Sequence, residues 1–176
     1  MVDRGIQSLL NRIRRNHALE HATINLLTRR YPAAQIVGLS GLRGFTLYTS
    51  LDAEKVNRMV PQALTSVQHG LTDLAYHENC GTNLVMTAIL TTVATLAGFQ
   101  PRQRMTPRHF LERLPQAILL NVIALLLAGP FSRWVQTHLT TLTDLTDIEI
   151  ASIDTDGHGS LQRVRVHTRT CRAQGG

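Results

Sequence analysis

One helical turn carries most of the chemistry this chain could perform. The segment Asn16-His17-Ala18-Leu19-Glu20-His21-Ala22 contains the pattern H-x-x-E-H. On a helix, positions i and i+4 lie one turn apart on the same face, so His17 and His21 can offer imidazole nitrogens to one metal ion. Glu20 falls beside them, where a carboxylate can take a proton from a metal-bound water. A second cluster, Tyr76-His77-Glu78-Asn79-Cys80-Gly81-Thr82-Asn83, holds imidazole, carboxylate and thiol donors within one short stretch. Standing alone it reads as a helix start with Thr82 or Asn83 as N-cap. Beside the first motif, His77, Glu78 and Cys80 become the source of the remaining ligands.

Three readings of these residues stay open. In the first, His17 and His21 bind Zn²⁺, one of His77, Glu78 and Cys80 completes the protein ligands, and Glu20 is the catalytic base of a membrane-anchored hydrolase or peptidase. In the second, His17, His21, His77 and Cys80 all bind, the tetrahedron is closed, and the zinc is structural. In the third, the same side chains form a metal-free, hydrogen-bonded polar core of a membrane scaffold. Position argues for partners of some kind. The apolar stripe through Ile6, Leu10 and Ile13 runs on into His17, Glu20, His21 and Ile24, so three ionisable groups point inward, where leaving them unpaired costs several kcal/mol.

An H-x-x-E-H helix followed by H-x-x-C-G-T and a membrane span resembles uncharacterised bacterial membrane-protein families whose members carry Y-H-G-A-E-H-K and later H-P-R-C-G-T-S. H-x-x-E-H is also the pattern of inverted zincins. The likeness covers about Asn16 to Asn83 and the hairpin that follows. It implies that His17, Glu20, His21, His77 and Cys80 occupy the families' repeated positions. Ala22 stands where those families have lysine, Asn83 where they have serine, and a β-hairpin lies between the motifs. Those families supply no activity to transfer.

The elements that must position these residues are legible from periodicity. Residues 5 to 30 predict an amphipathic helix, with Ile6, Leu9, Leu10, Ile13, Ile24 and Leu27 at three- and four-residue steps, closed by Arg29, Arg30 and Pro32. Gln35 to Leu39 and Phe45 to Ser50 predict a β-hairpin around a glycine-bearing turn. Ser50 or Asp52 should cap a second helix through Val56, Val60, Ala63, Leu64 and Val67, which Pro61 should kink or restart. Asp147 to Ile153 and Leu161 to Thr168 predict another hairpin. A lone hairpin is only marginally stable, so the two should join in one small sheet covered by the two helices.

Between these polar regions the chain changes character. No charged residue occurs from Asn79 to Pro101 or from Leu114 to Ser132. Each run can cross a ~30 Å hydrocarbon core as a helix, which predicts a two-span transmembrane hairpin. The bland alternative is a buried helix pair in a soluble dimer, favoured by Thr87, Thr91, Thr92, Thr95 and Asn121. The expected fold class is therefore α+β: a small helix and β-hairpin domain interrupted by a transmembrane helical hairpin. The expected division is 1–83, an α+β region with the H-x-x-E-H helix; 84–132, the membrane hairpin; and 133–176, a β-hairpin packing back on the first region.

Composition bounds the remainder. The chain has 176 residues, 43% of them hydrophobic and 5% aromatic, with a net charge of +6 and two cysteines. That excludes a disordered chain and a disulfide-stapled secreted domain. The expected location is a bacterial cell membrane, with no signal peptide. The arginine-rich connector argues for termini outside and the rest of the chain for termini in the cytoplasm, and the balance leans to the cytoplasm. The expected partner is the lipid bilayer. Anionic lipid contact would fall to Arg163, Arg165, His167, Arg169 and Arg172, and self-association is compatible with such short spans; nucleic acid is disfavoured by the absence of stacking aromatics. GLSGLRG lacks the lysine of a P-loop, and DTDGHGS lacks the glutamate of an EF-hand, so both read as turns. Cys171 reads as a residue of a polar tail that pairs with nothing.

Overall fold

The computed structural model describes residues 2–77, 80–99, 106–157 and 161–171. The chain divides into two compact units, one formed by residues 1–77 and 137–176 and the other by 78–136. The fold class is α+β, as the periodicity predicts.

The first unit begins with helix α1 (Val2–Arg30), followed by strands β1 (Ile36–Gly41) and β2 (Gly44–Thr49), helix α2 (Ala53–Gln68) and a 3₁₀ turn (Thr72–Ala75). It resumes after the second unit with strands β3 (Ile148–Asp156) and β4 (Gln162–Thr170). The four strands form one antiparallel sheet in the order β1-β2-β4-β3, so the two predicted hairpins do join, through β2 and β4. Register sets the core. Phe45 faces Val166 and Leu47 faces Val164, and all four side chains are buried. Ala18, Leu19, Ala22 and Leu27 of α1 and Val56, Val60, Ala63 and Val67 of α2 join the same hydrophobic cluster.

A bulge between Ile150 and Ser152 explains how β3 serves this core. Ile148 and Ile150 share one parity and Ile153 has the other, so strict alternation would turn Ile153 away from the core. The extra residue resets the parity, and Ile150 and Ile153 both pack on the core cluster.

Several local expectations are corrected. Asp52 occupies the N-cap position of α2 without a side-chain cap bond, because its carboxylate pairs with Lys55 Nζ at 2.8 Å. Helix α2 runs through Pro61 without restarting. Cys171 is not isolated: its thiol and the Glu149 carboxylate are hydrogen-bonded, which pushes the thiol up and holds Glu149 below the usual carboxylate range, with Arg169 adding to the latter. On the outer face of the sheet Arg165, His167 and Arg169 pair with Asp156, Asp154 and Glu149 of the neighbouring strand, so this basic row is largely neutralised. The apolar stripe of α1 is buried only in its second half; Ile6, Leu9 and Leu10 are about half exposed.

The second unit is a helical hairpin of α3 (Gly81–Phe99) and α4 (Pro107–Val135). Both helices are long and apolar enough to cross a membrane. At 1.5 Å per residue, the 19 residues of α3 span about 28 Å. Helix α4 begins earlier than its uncharged run, at a Thr106 cap that accepts from the His109 N–H, so the second half of the expected connector is helical. Where the helices meet, Gly98 lies against Ala117, and Asn121 Nδ2 donates to Thr95 Oγ1 at 3.0 Å. Thr87, Thr91 and Thr95 return their hydroxyls to carbonyls four residues back, so the threonines need no water. Their outward faces, with Leu84, Val93 and Leu126, are exposed hydrocarbon.

Candidate metal centre

Helix α1 carries His17 and His21 one turn apart, as the motif predicts, with ring centroids 4.2 Å apart and planes tilted by 58°. Their ligand nitrogens lie within 4.8 Å of one another, close enough to serve one ion. His21 is buried and His17 half-buried. His77, just past the 3₁₀ turn, brings a third imidazole, its ring centroid 6.0 Å from that of His21. Two imidazoles on one tetrahedral zinc, with Zn–N of about 2.0–2.1 Å, place their centroids ~5 Å apart. The spacings here bracket that value.

Hydrogen bonding assigns the tautomer of each ring. His17 Nδ1 lies 3.0 Å from the Thr140 carbonyl and His21 Nδ1 lies 2.9 Å from the Ala75 carbonyl. A carbonyl only accepts, so in both rings Nδ1 carries a proton, and in the neutral imidazole Nε2 is the lone-pair nitrogen. Both acceptors close short helical turns, the π-helical turn Gln136–Thr140 and the 3₁₀ turn Thr72–Ala75, whose last carbonyls have no partner within the helix.

His77 reaches the same state through Asn25. The Asn25 amide donates from Nδ2 to the carbonyls of Leu74 and Tyr76, both at 2.8 Å. That fixes which way the amide points, and leaves Oδ1 to accept from His77 Nδ1 at 2.8 Å. All three imidazoles are thus held as Nδ1–H tautomers by oxygen acceptors behind them, the outer-shell pattern that orients histidines toward a metal.

Glu20 takes a different direction. It is buried, accepts from the Ser40 hydroxyl, and packs against Gly38, where a Cβ would overlap its side chain. One residue is 100° of helix, so the carboxylate points to β1 while the ring of His21 reaches the 3₁₀ turn. Asn16 anchors the same sheet-facing side: Nδ2 donates to the Gly41 carbonyl and Oδ1 accepts from Thr168, each at 2.7 Å.

Cys80 stands three residues beyond His77 and immediately before α3. It takes the capping role expected of Thr82 or Asn83: its Sγ accepts from the Thr82 N–H at 3.4 Å, and its carbonyl from the Asn83 N–H. Glu78 lies outside the described residues. Sequence reasoning missed Asn25, Asn16, Gly38 and Ser40. Asn25 was within reach of it, because it stands four residues beyond His21, as His21 stands four beyond His17.

Residues 12–153 match a protein family described as a domain of unknown function, DUF6391. An uncharacterized protein of Picosynechococcus sp. (strain ATCC 27264 / PCC 7002 / PR-6) is 33% identical over 166 residues, covering 89% of this chain and 78% of that protein. No solved structure matches the chain significantly. The chain therefore belongs to the DUF6391 family, and its two apolar helices and its histidine cluster are compatible with a membrane protein that has a metal site.

Proposed function

We propose that this DUF6391 protein is a bilayer-spanning protein that holds a first-row divalent ion, zinc foremost, on Nε2 of His17 and His21. The observation that carries the reading is the tautomer of those two rings: the carbonyls of Thr140 and Ala75 hold a proton on Nδ1 and leave Nε2 to offer its lone pair to an ion. His77, locked in the same tautomer by Asn25, is a further nitrogen donor. Cys80 is the sulfur donor, since three residues of chain reach about 10 Å from His77. Two or three imidazoles with one thiolate form a donor set suited to zinc. Glu78, between His77 and Cys80, is the alternative oxygen ligand.

Metal content of the full-length protein purified in detergent tests this, with absorption spectroscopy at the metal edge reporting the ligands. One ion per chain in a nitrogen- and sulfur-containing shell, lost in His17→Ala and in His21→Ala, is the expected result. A folded wild-type protein that stays metal-free after zinc reconstitution would leave only a hydrogen-bonded scaffold.

A second reading makes the centre hydrolytic, with Glu20 as general base in an inverted-zincin-like arrangement. The H-x-x-E-H order of the sequence and the burial of Glu20 favour it, although its carboxylate is turned to Ser40. Glu20→Gln separates the two readings: a catalytic Glu20 predicts intact metal with lost hydrolysis, whereas an anchoring Glu20 predicts intact metal with lower stability.

A further inference from the structure

Among the described residues, the apolar side of the half of α1 that precedes the metal motif is only partly covered. Asn16 donates to the Gly41 carbonyl and Glu20 accepts from Ser40, so α1 runs antiparallel to β1 and continues past the β1–β2 turn toward its own N-terminus. On that overhang Ile6, Leu9 and Leu10 are each about half exposed. The opposite side of the same turns, with Gln7, Ser8, Asn11 and Arg12, lies around Thr170. The overhang is an amphipathic helix whose apolar side is open.

The turn beside it repeats the pattern. Leu42 is exposed at its tip, and Leu39 is exposed on the strand that enters it. Arg43, next to Leu42, has no acidic partner among the described residues, whereas Arg165 and Arg169 on β4 are matched by acids on β3. Thr168 links the two features, since its N–H donates to the Arg43 carbonyl and its own carbonyl accepts from Arg12. One end of this unit therefore presents leucine and isoleucine side chains around an uncompensated guanidinium.

We infer that this end lies on an anionic lipid surface, with Ile6, Leu9, Leu10 and Leu42 at the boundary of headgroups and acyl chains and Arg43 on a lipid phosphate. An apolar helix side flanked by arginine is the composition of an interfacial anchor. The charge favours an anionic bilayer over a second copy of the chain, because a second copy would bring Arg43 to the same positive end.

Tryptophan placed in the full-length protein tests it. Trp134 is replaced by Phe, and Leu10→Trp or Gln62→Trp, the latter on the exposed side of α2, is added singly. Each protein is placed in nanodiscs of phosphatidylcholine with or without 30% phosphatidylglycerol, and quenching by brominated acyl chains is read. The expected result is a blue-shifted Leu10→Trp signal quenched at least twofold more than Gln62→Trp, more strongly with phosphatidylglycerol, the added quenching being lost with Arg43→Glu. Equal quenching at the two sites would overturn the inference. A blue shift at position 10 without quenching, growing with the number of chains per disc, would overturn it in favour of self-association.

Discussion

Removing the Asn25 side chain would separate its two tasks, holding the fold and holding His77. Its amide makes three hydrogen bonds of 2.8 Å, to Leu74 O, Tyr76 O and His77 Nδ1, and Asn25→Ala loses them all. At about 0.5–1.5 kcal/mol net per bond at a half-buried site, the metal-free protein should lose ~2–4 kcal/mol. Zinc affinity should fall roughly 10–100-fold, the usual effect of deleting an outer-shell partner. Asn25→Asp is the informative companion. A carboxylate still accepts from His77 Nδ1, but it cannot donate to the two carbonyls, so stability should drop while zinc binding stays at or above the wild-type level. Competition against a chromophoric zinc chelator, in detergent and alongside denaturant unfolding of the metal-free protein, measures both quantities. If Asn25→Ala loses stability yet binds zinc as tightly as wild type, His77 is not a ligand positioned by Asn25. If Asn25→Asp binds as weakly as Asn25→Ala, the tautomer argument fails.

Gly38→Ala should destabilise the fold by ~1–3 kcal/mol, because its Cβ would overlap Glu20; denaturant unfolding should show the cost shrinking in a Glu20→Ala background, since the two changes share one clash. Asp144 is held below the usual carboxylate range first by the Thr146 hydroxyl, then by the Thr146 N–H and Arg15. Since its folded-state value is depressed, its contribution to stability is present above the unfolded carboxylate value of ~3.9 and is lost as pH falls through the folded value. Thr146→Val should move the Asp144 titration upward, measured by NMR, and weaken that loss of stability on acidification. Gly98→Val should push α3 from α4, since a Cβ there would stand 2.8 Å from Ala117 Cα; unfolding should begin at a lower SDS fraction, by helicity and at unchanged lipid composition.

Periodicity and charge in the sequence alone determined the α+β class, both hairpins, the two long apolar helices and the one-turn spacing of His17 and His21. These are local or binary-pattern properties: a 3.6-residue or two-residue repeat, an uncharged run of bilayer length, a pair at i and i+4. Tertiary structure decided the rest, because it depends on which residues approach from elsewhere. The β2–β4 pairing that makes one sheet joins residues more than a hundred positions apart. The bulge in β3 appears in the sequence only as a broken alternation of isoleucines. The inward stripe of α1 predicted burial along its whole length, but the sheet ends at the β1–β2 turn, so His21 is buried and Leu10 is not. Above all, the sequence places Glu20 beside the two histidines, whereas the fold turns it to Ser40 and sets the carbonyls of Ala75 and Thr140 and the amide of Asn25 behind the imidazoles. Spacing along a helix says which side chains share a face; which nitrogen of a histidine holds the proton depends on an oxygen delivered by the rest of the chain.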